Sequence, residues 1–262
     1  MNFKLGDFVT RISHKHDIVF KIVGVEGNLA FLKGVDLRLY ADSDLSDLVN
    51  AKYNYGDSDK EIINENIRDI KLDRNQYFYL PGKILHIDGD GDYLERCMSF
   101  YKNMNVKANG LVLPESEISD KIVDLLVEYR PDIVVITGHD AYYDRKYKDS
   151  GRSNYQNTSN FISAVKAARK YEKSQDKLIV IAGACQSNYE ELIKAGANFA
   201  SSPKRINIHA LDPAIIASSL ALSDKNQSID VIKLIEKTKY GSDGMGGIIT
   251  NGTMYVGYPR WF

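Results

Sequence analysis

The chain has few cysteines and almost no net charge, and each shortage excludes a class of protein. Two cysteines in 262 residues are too few for a disulfide scaffold, so we expect reduced thiols in a cytoplasmic compartment. A formal net charge of −1 gives no bulk attraction to nucleic acid or to an anionic membrane. No apolar run reaches the roughly 18 residues of a membrane span, and the N-terminus lacks the apolar segment of a signal peptide. We therefore expect neither nucleic acid nor membrane as a partner.

The first third of the chain predicts a small β domain followed by a linker. In residues 1–50, short runs rich in β-branched and aromatic residues alternate with turn residues such as Gly27-Asn28 and Gly34. This spacing predicts an SH3-like barrel, which either binds a peptide or another domain or simply packs. Residues 51–80 predict a charged linker, with a short amphipathic helix and a solvated segment as equal alternatives.

Residues 81–262 predict an α/β domain, because apolar strand runs alternate with helical segments. Continuous apolar runs such as 133–136 are typical of strands buried on both faces of a parallel sheet. The predicted strands are Lys83–Asp88, Lys107–Leu113, Asp132–Thr137, Lys177–Ala182 and Asn198–Ser201. The predicted helices lie near 92–104, 117–129, 158–171, 188–195, 212–222 and 228–239. Asn251-Gly252, between runs at 248–250 and 253–256, predicts a terminal hairpin.

A histidine and a cysteine follow two consecutive predicted strands at the point where each strand ends. His139 follows Gly138, and Cys185 follows Gly183-Ala184. Consecutive parallel strands are usually neighbours, and ligands bind beyond their carboxyl ends. An imidazole there can take the proton of the thiol and leave a reactive thiolate. The N–H groups of the helix that follows Cys185 favour a thiolate and an oxyanion.

The other cysteine and histidines have less distinctive surroundings. Cys97 lies on an apolar helix stripe with Leu94, Met98 and Tyr101, which is typical of a core face. His209 follows a later strand and is the only rival base. The remaining histidines lie in the β domain or inside a strand: His14, His16 and His86. No ligand spacing resembles a zinc site, and the glycine-rich segment 241–247 fits no nucleotide loop, so we expect no metal and no cofactor.

Six stretches of the sequence together carry a family resemblance that spans both predicted domains. They are FKLGDFV (3–9), YADSDLSDLV (40–49), LPGKILHIDG (80–89), YRPDIVVITGHD (129–140), IAGACQ (181–186) and AGANFASSPKRINIHALDP (195–213). The chain resembles the YabG family of sporulation-specific cysteine proteases. This resemblance implies a cysteine endopeptidase that processes spore coat and other sporulation proteins in the mother-cell cytoplasm, associated with the forming coat. It also implies cleavage after basic residues, notably Arg.

The resemblance assigns roles to particular residues. His139 and Cys185 form the implied catalytic dyad, and the order of strand, His, strand and Cys is also similar to the caspase, gingipain and clostripain clan. That clan implies a caspase-like sheet. Its histidine is typically followed by Gly, whereas Asp140 follows here. The expected oxyanion donors are the Cys185 N–H and one N–H near Gly138–Asp140.

Recognition of a substrate Arg requires an acidic pocket near the nucleophile, because a guanidinium pairs best with a carboxylate. The turn after the first strand of the sheet offers Asp90 as the first candidate, with Asp88 and Asp92 beside it. The same aspartates are candidates to cap the following helix. Asp140 and Asp212 are reserve candidates for the pocket. Loop 141–157 is basic, so we expect it to be mobile and open to self-cleavage.

Two other functions remain open from the sequence alone. One is a different Cys/His enzyme, such as an amidase or acyl transferase, although glutaminase-type enzymes usually place Cys before His. The other is a non-enzymatic coat or nucleotide-binding module with a flavodoxin-like sheet, although the acidic turn 89–92 would repel phosphate. Labelling of Cys185 by a thiol reagent at neutral pH would distinguish an enzyme from a module.

Overall fold

The computed structural model describes residues 3–53, 57–68, 72, 75–142 and 154–260. The chain divides into two compact units, residues 1–61 and residues 62–262. None of the helices in these described ranges is both long and apolar enough to cross a membrane.

The first unit is a five-stranded antiparallel sheet. Its strands are β1 Phe8–Arg11, β2 Phe20–Glu26, β3 Leu29–Gly34, β4 Tyr40–Asp44 and β5 Leu48–Asn50, in the order β4-β3-β2-β1-β5. A 3-10 turn at Leu45–Asp47 joins β4 to β5, and the side chain of Asp44 caps it by accepting the N–H of Ser46. The core consists of Val9, Phe20, Ile22, Ala30, Leu32 and Leu48. No pairing within the described residues closes the sheet between β4 and β5, so the SH3-like barrel stays a prediction.

The second unit is built on a six-stranded, mostly parallel sheet. Its strands are β7 Ile84–Asp88, β8 Ala108–Val112, β9 Ile133–Thr137, β10 Ile179–Ala182, β11 Phe199–Ser201 and β12 Met245–Gly247, in the order β12-β11-β10-β9-β7-β8. Only β12 runs antiparallel to its neighbour. The α-helices of this unit are α2 Gly91–Asn103, α3 Glu115–Tyr129, α4 Thr158–Tyr171, α5 Tyr189–Ala195, α6 Asp212–Ala221 and α7 Val231–Ile235, and α1 Asp57–Arg68 contains the boundary between the two units. The predicted parallel sheet flanked by helices is confirmed.

Helices cover both faces of this sheet. Alternate side chains of each strand point to opposite faces, so the apolar strands present side chains for the helices to bury on both. On one face Ile133 and Val135 pack with residues of α2 and α6. On the other face Val134 and Ile136 pack with residues of α3, α4 and α5. The strands are therefore buried on both sides, as their continuous apolar runs predicted.

Two predictions about local structure are wrong. Asn251-Gly252 does not join a hairpin: Tyr255–Gly257 (β13) instead pairs antiparallel with Phe78–Leu80 (β6). The glycine is needed for a close backbone approach, since a Cβ on Gly252 would lie 2.0 Å from the carbonyl oxygen of Ser223. The helix expected at 228–239 is much shorter, since α7 ends at Ile235. In the predicted linker 51–80, α1 agrees with the amphipathic-helix alternative.

Candidate active site

The pairing of β9 with β10 brings the ends of the two predicted site strands together. Ile136 and Ala182 are register partners in this parallel pair. His139 lies three residues after Ile136, and Cys185 lies three residues after Ala182. Since paired strands are about 4.8 Å apart, both residues leave the sheet at the same place on its carboxyl edge. This edge is where open α/β sheets bind their ligands.

Three hydrogen bonds fix His139. The ring Nε2 lies 2.9 Å from Oδ2 of Asp90. The backbone N–H of His139 is donated to Oε1 of Glu115 at 2.8 Å, and its carbonyl oxygen accepts from Nδ2 of Asn157 at 2.8 Å. The ring of Tyr93 lies beside the imidazole, with centroids 5.8 Å apart. The side chain of His139 is 21% exposed, so the imidazole is held in place and still open to solvent.

The carboxylate of Glu115 occupies a cradle formed by two glycines. A Cβ on Gly89 would lie 2.3 Å from Oε1 of Glu115, and a Cβ on Gly138 would lie 2.4 Å from the same atom. Glu115 is the first residue of α3, so the carboxylate connects that helix to the turns after β7 and β9. Nothing in the local sequence pattern separates Glu115 from an ordinary first-turn glutamate, so its contact with His139 could not be predicted.

Cys185 lies in a sharp turn and is buried, with 1% of its surface exposed. Gly183 has a φ of 101°, a left-handed conformation that suits glycine. The hydroxyl of Ser187 accepts the N–H of Ala184 at 3.0 Å and braces the turn. The N–H of Ile208 is donated to the Cys185 sulfur at 3.2 Å. The thiol also faces the carbonyl oxygen of Ile208 at 3.9 Å, so both backbone polar groups of Ile208 contact Cys185.

Asp140 joins the segment after β9 to the segment after β10. Its Oδ1 accepts the N–H groups of Ala141 and Asn157 at 2.9 and 2.7 Å. Its Oδ2 accepts the hydroxyls of Thr158 and Ser187, the latter at 2.8 Å. With 8% of its surface exposed, this carboxylate is committed to internal contacts.

The backbone on either side of His139 offers two unused donors for an oxyanion. The N–H of His139 is already donated to Glu115. In contrast, the N–H groups of Gly138 and Asp140 have no acceptor within the part of the chain that the structure describes. Among the donors predicted near Gly138, the geometry favours Gly138 and Asp140 over His139. The assignment of Cys185, Gly138 and Asp140 as oxyanion donors stays a prediction.

The three aspartates predicted to bind a substrate Arg lie in very different surroundings. Asp88 is fully buried in β7, where Oδ2 lies 3.6 Å from Nε2 of His86. Asp90 caps α2 by accepting the N–H groups of Asp92 and Tyr93, as the capping alternative predicted, and it also contacts His139. Asp92 is exposed in the first turn of α2. Of the three, Asp92 has the most accessible carboxylate.

The reserve aspartate and the rival base belong to one segment beside Cys185. Both carboxylate oxygens of Asp212 accept backbone N–H groups, from His209 at 2.8 Å and from Lys239 at 2.9 Å. Nδ1 of His209 accepts the N–H of Leu211 at 3.2 Å, and this imidazole is 3% exposed. Tyr240 lies near the same segment: burial, followed by the charges of Asp212 and Cys185, raises its pKa. Its place near Cys185 could not be predicted from the sequence.

The other singled-out residues contribute to the interior or to the β unit. Cys97 is fully buried and donates its thiol to the carbonyl oxygen of Ala210. His86 is buried against the hydroxyl of Tyr101, and His16 bonds to Thr10. Most of the predicted mobile loop, residues 143–153, lies outside the described residues. Its two described ends meet in a bridge between Tyr142 and Tyr155.

The protein therefore belongs to the α/β class. Its candidate site, a thiol and an imidazole at adjacent strand ends, lies at the carboxyl edge of the sheet, where such folds bind their ligands. A family model described as YabG peptidase U57 matches residues 4–259. The sporulation-specific protease YabG of Bacillus subtilis (strain 168) is 41% identical over 291 aligned residues, which cover 99% of each chain. No solved structure matches the chain. The chain belongs to the YabG peptidase family, and it is a protease.

Proposed function

We propose that the protein is a cysteine endopeptidase in which Cys185 is the nucleophile and His139 is the base. The observation that carries this proposal is the register of β9 and β10, which puts both residues at the same place on the carboxyl edge of the sheet. The N–H of Ile208, 3.2 Å from the sulfur, supports the same assignment, because it can donate to the thiolate once His139 has taken the proton. We also propose that the six-stranded sheet is caspase-like and that the N-terminal unit is an SH3-like domain, as the sequence predicted.

The reaction follows from these positions as acyl transfer. The imidazole of His139 takes the thiol proton, and the Cys185 sulfur attacks the scissile carbonyl carbon. The N–H of Cys185 and the N–H of Gly138 or Asp140 donate to the oxyanion that forms. His139 then gives its proton to the leaving amine, which departs and leaves a thioester on Cys185. Water activated by the neutral imidazole hydrolyses the thioester and restores the thiol.

The proposed substrates are proteins of the developing spore, cleaved after Arg. The Bacillus subtilis relative is named a sporulation-specific protease, and the family resemblance implies coat proteins as substrates. We therefore place the enzyme in the mother-cell cytoplasm, at the forming coat. Asp88, Asp90 and Asp92 stay candidates for the pocket that receives the Arg side chain, and we favour Asp92 because it is exposed.

Mass spectrometry of cleavage products tests the proposal. Wild-type protein and Cys185→Ala are each incubated with a protein mixture rich in Arg and Lys. We expect new peptide termini after Arg from the wild type and none from the variant. Iodoacetamide labelling of the intact native protein gives a second readout. We expect Cys185 to react because the proposed base generates its thiolate, and Cys97, which has no proposed base and donates its thiol to the carbonyl oxygen of Ala210, to stay unlabelled as the internal control.

Three outcomes have distinct meanings. Cleavage by Cys185→Ala at the wild-type rate would overturn the assignment of the nucleophile. A labelled Cys185 without any cleavage of proteins would favour an amidase or an acyl transferase that uses the same dyad. An inert Cys185 in native protein would count against this residue as the nucleophile of the protease.

A further inference from the structure

Asp90 has two roles at the end of β7, and they use different oxygens of one carboxylate. Oδ1 accepts the N–H groups of Asp92 and Tyr93 at 3.0 and 3.3 Å, which caps α2. Oδ2 lies 2.9 Å from Nε2 of His139. The cap fixes the side chain of Asp90, which is only 6% exposed, against the first turn of a thirteen-residue helix. The imidazole therefore meets an acceptor that is held rigidly in place.

We infer that Asp90 is a positioning residue that sets the tautomer of His139, so that Nδ1 is the nitrogen that takes the proton of Cys185. This inference rests on the proposed function. An ionised carboxylate has no proton to donate, so the hydrogen bond at 2.9 Å places the imidazole proton on Nε2. Nδ1 then carries a lone pair in the neutral ring. When the thiol proton moves to Nδ1, the Nε2 proton stays between the ring and Asp90, and Asp90 itself gains no proton.

The same carboxylate stabilises the imidazolium that forms when Cys185 loses its proton. The buried carboxylate keeps accepting the Nε2 proton after Nδ1 has gained one, as in the Ser-His-Asp arrangement of serine proteases. Other charged groups approach His139 from the elements around it: Glu115 from α3, which binds its backbone, Asp140 from its own segment and Cys185 from the neighbouring strand end. Among these carboxylates, Asp90 is the one bonded to the ring.

Asp90→Asn separates the two roles of this side chain. Asn is as good a helix cap as Asp, so α2 keeps its cap. The amide can instead donate to Nε2, which would place the imidazole proton on Nδ1, the wrong tautomer for the reaction. We expect kcat to fall by at least about 100-fold with little change in KM. Asp230→Asn is the matched control, because Asp230 caps α7 in the same way and we expect wild-type kinetics from it.

The pH dependence of Cys185 alkylation by iodoacetamide gives a readout that a purely structural role would not move. Without the carboxylate, the thiolate–imidazolium pair is less favoured, so the rise in alkylation rate should move to higher pH in Asp90→Asn. Asp90→Glu, which keeps the charge, should recover part of the wild-type profile. A wild-type profile and cleavage rate in Asp90→Asn would overturn the inference. So would a loss confined to Arg substrates with unchanged alkylation, which would place Asp90 in the substrate pocket.

The tautomer can also be observed directly without changing Asp90. In full-length Cys185→Ala labelled with ¹⁵N, we expect the His139 ring to carry its proton on Nε2, and a proton on Nδ1 in the neutral ring would overturn the inference. This measurement keeps the inference distinct from the proposed function. If Cys185→Ala still cleaves proteins, the function fails whatever the tautomer is. If Cys185→Ala is inactive and the proton is on Nδ1, the function stands and only the role of Asp90 fails.

Discussion

The carboxylate of Glu115 accepts the backbone N–H of His139 at 2.8 Å and lies where a side chain on Gly89 or Gly138 would have to be. A first-turn residue of one helix thereby fixes the backbone beside the proposed base. Because Glu115 is a flexible side chain, it can move away from an added methyl group, but only by breaking its bond to His139. Changes at these glycines should therefore cost activity as well as stability.

The first prediction is that Gly138→Ala lowers both the stability and the activity of the protein. A Cβ at this position would displace Oε1 of Glu115, 2.4 Å away, and release the N–H of His139. We expect a loss of about 2 kcal/mol in unfolding free energy, typical of one hydrogen bond to a charged group, and roughly a 10-fold or greater fall in kcat from the misplaced base. Thermal unfolding and peptide-cleavage kinetics measure the two effects.

Gly91→Ala is the control for this change. Its Cβ would meet only a methyl group of Val112 at 3.6 Å, an ordinary contact. Alanine is also a better helix former than glycine, so this variant should be as active and at least as stable as the wild type. Full activity in Gly138→Ala would show that the bond from Glu115 to His139 does not matter for catalysis.

The second prediction separates the two histidines near Cys185. His139→Ala should lower kcat/KM by roughly 1,000-fold or more, because it removes both the base for the thiol and the acid for the leaving amine. His209→Ala should cost much less activity, although its burial and its bond to Leu211 predict a loss of stability. Kinetics are compared after circular dichroism has confirmed that each variant is folded. The reverse order of activities would make His209 the base.

The sequence predicted the strand ends correctly because apolar runs and glycines are local signals. His139 and Cys185 each follow such a run, so their proximity followed from parallel pairing alone. The contacts that hold the site could not be predicted, since they join residues far apart in the chain: Glu115 is 24 residues from His139, and Asp90 is 49 residues from it. The hairpin prediction failed for a related reason. Asn251-Gly252 has the local pattern of a hairpin turn. The glycine is needed, however, because its backbone packs closely against the carbonyl oxygen of Ser223, which is distant in the chain.

The third prediction concerns the basic segment between β9 and β10. Arg145, Lys146, Lys148 and Arg152 offer cleavage sites to a protease with a preference for basic residues. We expect active enzyme to cut itself there, and the two fragments to elute together under native conditions because β9 and β10 stay paired in one sheet. Intact-mass spectrometry and gel filtration follow the reaction, with Cys185→Ala as the uncut control. An unchanged intact mass after long incubation of active wild type would exclude self-cleavage.

The last prediction concerns the choice of Arg as the residue before the cut. Asp92 is exposed in the first turn of α2, two residues after Asp90, which contacts His139. Its carboxylate can therefore reach a substrate side chain. A partly solvated pair with a guanidinium contributes on the order of 1 kcal/mol. Asp92→Asn should therefore lower kcat/KM for an Arg peptide by roughly 5-fold to 10-fold, and leave the iodoacetamide labelling of Cys185 unchanged because the dyad is intact. Glu95→Gln, an exposed acid one turn further along the same helix, should show neither effect. The preference for Arg is measured as the ratio of kcat/KM for an Arg peptide to kcat/KM for an uncharged peptide of equal length. If this ratio is the same in Asp92→Asn and in the wild type, the acidic pocket lies elsewhere on this edge of the sheet.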